Sequence, residues 1–146
     1  MSKCESIIIP EWPAPKNVSA AMTTRLGGYS KPPFDSFNLG DHVGDDPVAV
    51  TKNREKLKQI LDLPGEPCWL NQVHGNRVVY MDRPQQGIEA DAAWTDKPGV
   101  VLVVMTADCL PVLLANKAGT KVAVIHGGWR SLAAGIIEKT IEAIHT

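Results

Sequence analysis

Apolar positions are distributed differently in the two halves of this chain. Over the first 45 residues they are scattered among Pro, Gly, Ser and Asn, a pattern that predicts short strands joined by irregular loops. Residues 6–10 and 18–24 are the strand candidates there, and 11–17, with Pro13 and Pro15, reads as a turn. A helix is predicted next. Asp46 can cap it, Pro47 suits its first position, Val50, Leu57, Ile60 and Leu61 share one face, and Pro64-Gly65 ends it. Beyond it the apolar residues come in runs, at 68–73, 77–81, 100–105, 110–115 and 121–125. The unbroken Val100-Val101-Leu102-Val103-Val104 predicts a strand buried on both faces, and 116–120 reads as a hairpin turn. A second helix is expected from Trp129, with Trp129, Leu132, Ile136, Ile137, Thr140 and Ile144 on one face. The elements predict an α+β fold, layered, in a single domain over 1–146. That helix stops at His145-Thr146 without a capping signal, so more protein is expected to follow it. A chain cut there is expected to self-associate or to be marginally stable.

Composition narrows the function classes. Fifteen Lys and Arg against 16 Asp and Glu give a net charge of −1, which offers no electrostatic reason for a nucleic-acid or anionic-membrane partner. No apolar run approaches the length of a membrane span, and Ile7-Ile8-Ile9 between Glu5 and Glu11 is no signal-peptide core. Three widely spaced cysteines, Cys4, Cys68 and Cys109, argue against a disulfide framework and for reduced thiols in a cytoplasmic setting.

Three ligand-type residues fall where strands should end: His74, Cys109 and His126. Their separations of 35 and 17 residues do not match a zinc finger, whose ligands come in close pairs. They suit a site to which separate strands each deliver one ligand. One thiolate and two imidazoles favour zinc, and three protein ligands leave a fourth position for water, phosphate or substrate. The bland reading is a packed Cys and two hydrogen-bonded His. Against it, Gly127-Gly128 leave bare backbone N–H groups at a helix start and Arg130 lies one turn on, an arrangement suited to an anion. Cys109 and His126 also allow a thiolate nucleophile with a histidine base, which Asp108 could orient, although as Cys109's neighbour on a strand it should point the other way. The Gly-rich stretches 23–30 and 38–46 are weaker candidates for anion or polar contacts. Asp91 reads as a turn residue, His145 as solvated, Cys4 and Cys68 as inert, and Trp12, Trp69 and Trp94 as core or pocket wall.

The segments TTRLGG (23–28), SFNLGDHVGDD (36–46), NQVHG (71–75), EADA (89–92), MTADCLPVLL (105–114) and HGGWR (126–130) resemble the YfiH family. Its members have been called multicopper polyphenol oxidase (laccase) domain proteins, purine nucleoside phosphorylases and peptidoglycan editing factors. The resemblance implies an α/β/α-layered fold with a mixed sheet, similar to the cytotoxic necrotizing factor deamidases. It implies metal ligands at His74, Cys109 and His126. It also implies phosphorolysis of adenosine, inosine or methylthioadenosine, adenosine deamination, and a bacterial role in removing wrongly built peptidoglycan precursors. The chain departs from the family in having Gly127 where Ala is usual and in ending before the family's C-terminal region. Laccase chemistry needs several coppers and many imidazoles, whereas this chain has four histidines, so zinc is expected rather than copper. In the resulting assignment Cys109, Arg25 and Arg130 are catalytic, the arginines holding phosphate, and Asn38, His42 and Gln72 contact the nucleoside. The alternatives are a Cys109–His126 thiol hydrolase or amidase acting on a cell-wall precursor, and a domain whose zinc is structural.

Overall fold

The computed structural model describes residues 6–145. Two compact units divide them, one formed by residues up to Trp12 with Ser19–Leu63, the other by Pro13–Val18 with the residues from Pro64 onward.

In the first unit, strand β1 (Ile7–Ile8) pairs antiparallel with β2 (Met22–Thr23), each shorter than its apolar pattern predicts. Helix α1 (Pro47–Leu61) forms as expected. The Asp46 carboxylate accepts from the Val48 amide, Pro47 opens the first turn, and Asp62 closes the helix in the left-handed region at φ 49°. Its inward face carries Ala49, Val50 and Leu57 and one polar residue, Asn53, which is fully buried.

The second unit is built on a mixed sheet in the order β3 (Val78–Tyr80), β4 (Ala92–Thr95), β6 (Val122–Gly127), β5 (Leu110–Ala115). β3 runs parallel to β4, while β6 is antiparallel to both β4 and β5. Strand alternation sorts the side chains. Ala92 and Ile125 point to one face, where Ile136, Leu132 and Ile137 of the C-terminal helices cover them. Ala93 and Val124 point to the other, into a cluster with Cys68, Leu70, Met81 and Ala90. The fold thus combines helices and strands, as the pattern predicts, on a mixed sheet, as the family resemblance implies.

Four expectations are corrected. The run at 100–105 is not a strand buried on both faces. Val100, Leu102 and Val104 pack onto the core, but the segment is half-exposed and makes one isolated bridge, Leu102 with Cys68. The facing segment 64–72 contains Pro64 and Pro67, which have no N–H to give, so a ladder cannot extend from the bridge on the side before Cys68. The run at 68–73 is likewise irregular apart from bridges at Cys68 and Asn71. The central strand β4, Ala-Ala-Trp-Thr, is not predicted, because its two alanines give no hydrophobic signal. Finally, the second helix is two helices, α2 (Trp129–Ala133) and α3 (Ile136–His145), broken at Gly135 with φ 82°. The break resets the helical phase, so Trp129, predicted on the apolar face, is 75% exposed.

Candidate metal centre

β6 ends in His126-Gly127, and pairing on both sides buries it. β5 begins at Leu110, so Cys109 sits in the bend just before its first paired residue. His74 lies in the loop between the bridge at Asn71 and β3, with its backbone in the left-handed region at φ 60°. The three residues predicted as ligands therefore arrive from three different segments of one unit, and the structure brings them together. Their ligand atoms all lie within 4.8 Å of one another, and the His74 and His126 rings meet edge-on with centroids 4.7 Å apart. Ligands around a tetrahedral zinc are spaced at about 3.3–3.8 Å, so closing on an ion takes an inward movement on the order of 1 Å. The donor set, one sulfur and two imidazole nitrogens, fits zinc. Among the described residues it is the single group of three such side chains. His74 is exposed, Cys109 half-buried and His126 buried, so the group opens to solvent on the His74 side.

Gly128 is required at the rim. A Cβ there would lie 2.9 Å from His74 Nδ1 and 3.3 Å from Cys109 Sγ. Gly128 caps α2, but that helix is five residues long, far less than the long helix start expected for an anion.

Asp91, read from sequence as a turn residue, is instead fully buried behind the ligands. Its Oδ2 lies 2.8 Å from His126 Nδ1 and accepts from the His74 amide at 2.9 Å, and Oδ1 accepts from the Val73 and Gly75 amides at 3.1 and 3.0 Å. Its carbonyl accepts from the His126 amide at 2.7 Å. Burial pushes the carboxyl up, but the His126 bond and the three amides outweigh it and hold the group below the usual carboxylate range. Asp108, the sequence candidate for orienting His126, is exposed; the orienting carboxylate is Asp91.

The remaining candidates are placed as follows. Gln72 uses both ends of its amide on the backbone of Met105, donating to its carbonyl and accepting from its amide, each at 2.7 Å. It thereby pins the segment that leads to Cys109. Arg130 is exposed, with its guanidinium 5.1 Å from the Trp129 ring centre. In the other unit, Arg25 donates to the Asp35 carbonyl at 2.9 and 2.7 Å and pairs with its carboxylate. Asn38 folds back on Gly40 and reaches Asp45, and exposed His42 lies 3.8 Å from the Asp41 carboxylate. Cys68 is buried, and burial pushes its thiol up, as expected of an inert thiol.

Residues 19–146 match the family described as multi-copper polyphenol oxidoreductase laccase. The chain belongs to this family. Within this laccase-like family, it is 52% identical over 136 residues to the purine nucleoside phosphorylase YfiH of Escherichia coli, covering 92% of this chain and 56% of that one. Among solved structures, YlmD from Geobacillus stearothermophilus superposes with a TM-score of 0.92 at 30% identity, over 100% of this chain and 58% of that one. The Neisseria meningitidis protein NMB0706 does so with a TM-score of 0.88 at 45% identity, over 97% and 58%. The chain thus spans somewhat more than half the length of the relatives it matches. The family's description names an oxidoreductase and the relatives' names a phosphorylase, two different chemistries.

Proposed function

We propose that His74, Cys109 and His126 hold a zinc ion at a site where phosphate cleaves a purine nucleoside. The observation that carries this reading is the openness of the donor group: three donors from three segments, one of them exposed. A structural zinc site would be closed by a fourth protein ligand. The substrate class comes from relatives named purine nucleoside phosphorylase. Zinc held there supplies a Lewis acid beside the reacting groups. In phosphorolysis a phosphate oxygen forms a bond to the anomeric carbon as the glycosidic carbon–nitrogen bond breaks. The electron pair leaves with the base, which takes up a proton. Arg130, exposed two residues beyond Gly128, would hold phosphate, and Gln72 would act on the centre by fixing the Met105 backbone. Hydrolytic deamination of adenosine fits the same opening, with water as the nucleophile and ammonia leaving. Free thiols at Cys68 and Cys109 support a reducing, cytoplasmic setting, and no helix among the described residues is long and apolar enough to cross a membrane.

One observation favours a second reading. Asp91, His126 and Cys109 also form the order of groups used by a thiol hydrolase, with a carboxylate orienting the base. Metal analysis of the purified 146-residue chain, with product identification on adenosine and inosine with and without phosphate, separates the two. The expected result is one zinc per chain and phosphate-dependent release of base, lost on chelation. Activity that survives complete zinc removal, with a covalent adduct on Cys109, would sink the zinc reading.

A further inference from the structure

Among the described residues Asp91 is the one buried acid beside the donor group, and the proposed reaction gives it no step. Its two oxygens receive four donors: the amides of Val73 and Gly75 at Oδ1, the amide of His74 and Nδ1 of His126 at Oδ2. An ionised carboxylate is an acceptor only, with about four lone-pair sites, and here all are taken. Because the oxygen can only accept, His126 must carry its proton on Nδ1, which leaves the lone pair on Nε2. Three successive amides converging on one carboxylate also hold the His74 loop in the left-handed region, which a non-glycine residue adopts only when its surroundings impose it.

We propose that Asp91 is a positioning residue serving two ligands at once: it selects the Nδ1–H tautomer of His126 and sets the backbone that presents His74. Its consequence for zinc rests on the zinc reading above; its effect on the tautomer does not. Asparagine has the same shape and half the acceptors. With its oxygen toward Val73 and Gly75, its NH2 group opposes the His74 amide and drives His126 to accept at Nδ1, moving the proton to Nε2 and blocking that nitrogen as a ligand. With the amide turned over, the NH2 group opposes the amides of Val73 and Gly75 and the His74 loop opens. Either orientation spoils one ligand.

The test has two readouts. Nitrogen-15 NMR of labelled histidines in metal-free protein at pH 8, with the His126 signal assigned by its loss in His126→Ala, reports the tautomer. Competition with a chromophoric chelator reports zinc affinity. The wild-type chain is expected to show Nδ1–H at His126. Asp91→Asn is expected to show Nε2–H at His126, or an unprotected His74 amide in hydrogen exchange, and zinc affinity lowered by about 10- to 100-fold. A merely structural Asp91 would lower the melting temperature and leave tautomer and loop protection unchanged, which overturns the proposal. Should Asp91→Asn fail to fold, the wild-type tautomer decides alone: Nε2–H at His126 overturns it. A wild-type chain that shows Nδ1–H and takes up no zinc defeats the zinc reading and leaves the assignment to Asp91 standing.

Discussion

Two buried polar clusters among the described residues resemble each other in composition and differ in where their bonds lead. In the first unit, Asn53 is fully buried and donates to Ser30 Oγ at 2.9 Å and to the carbonyls of Asn38 and Ser36 at 2.7 and 3.4 Å, while accepting from the Tyr29 amide at 2.7 Å. Gly28 permits this closeness, since a Cβ there would lie 2.7 Å from Asn53 Oδ1. Every bond of that cluster ends on another group of the same loops, so it fastens the 27–45 segment to α1. In the second unit, Asp91 is as completely satisfied, but the residues it binds carry a second functional end. His126, His74 and beside them Cys109 turn those ends toward one another and, at His74, toward solvent. A polar network that closes on itself specifies a fold; one that leaves donors convergent and unspent at its edge has the form of a binding site.

The largest expected effect follows from that difference. Cys109→Ser should lower zinc affinity by about 1,000-fold, on the order of 4 kcal/mol, since a hydroxyl is a poor substitute for a thiolate and each ligand of a structural zinc site carries a share of about 10–16 kcal/mol. Because Cys109 lies in a half-buried bend outside the core clusters, the melting temperature of the metal-free chain should stay where it was. Chelator competition and a melt in the presence of a strong chelator measure the two. A large drop in metal-free stability with undiminished zinc uptake would reverse the distinction between the clusters.

Asn53→Ala should do the opposite. It strands the Tyr29 amide and the Asn38 carbonyl in a buried place and opens a small cavity, a cost of about 3 kcal/mol. Urea denaturation of the metal-free protein would show it as a shifted midpoint. A midpoint unchanged within error would mean that the Asn53 cluster is wet in solution, and not a closed buried network.

The grouping of His74, Cys109 and His126 was legible in sequence because His and Cys at the ends of apolar runs are chemically conspicuous, and α1 because Asp46, Pro47 and Pro64-Gly65 punctuate it. What escaped notice were residues whose meaning depends on long-range pairing. Asp91 lies in Glu-Ala-Asp-Ala, which carries turn-like polarity, and only the pairing of β4 with β6 turns it into the group behind His126. Asn53 sits at an ordinary helical position, and its role depends on a loop 15 to 24 residues upstream. The Val-rich run at 100–104 misled for the converse reason. Strand propensity was present, but among the described residues the run makes one bridge, to Cys68 directly after Pro67, and propensity without a continuous partner gives extended backbone and no sheet.

The smallest expected effect concerns Asp45, where the closed cluster touches a charge. Its Oδ2 accepts from Ser30 Oγ at 2.5 Å and Asn38 Nδ2 at 3.1 Å, and its Oδ1 from the Asp46 amide at 2.7 Å. The Ser30 bond, helped by Asn38 and the Asp46 amide and opposed by burial, holds its carboxyl below the usual range. A carboxyl whose folded value lies below its unfolded one contributes stability that is complete above the unfolded value, about 4, and is lost as pH falls through the folded value. Asp45→Asn removes that contribution at every pH, because its NH2 group faces a donor on one side or the other. The wild-type chain should therefore be the more stable of the two at pH 7, and the difference should shrink on acidification, as protonated Asp45 comes to resemble asparagine. Urea melts of both metal-free proteins at pH 7 and pH 3 would measure it. A difference that persists or widens at pH 3 would show that Asp45 supports the cluster by shape and not by charge.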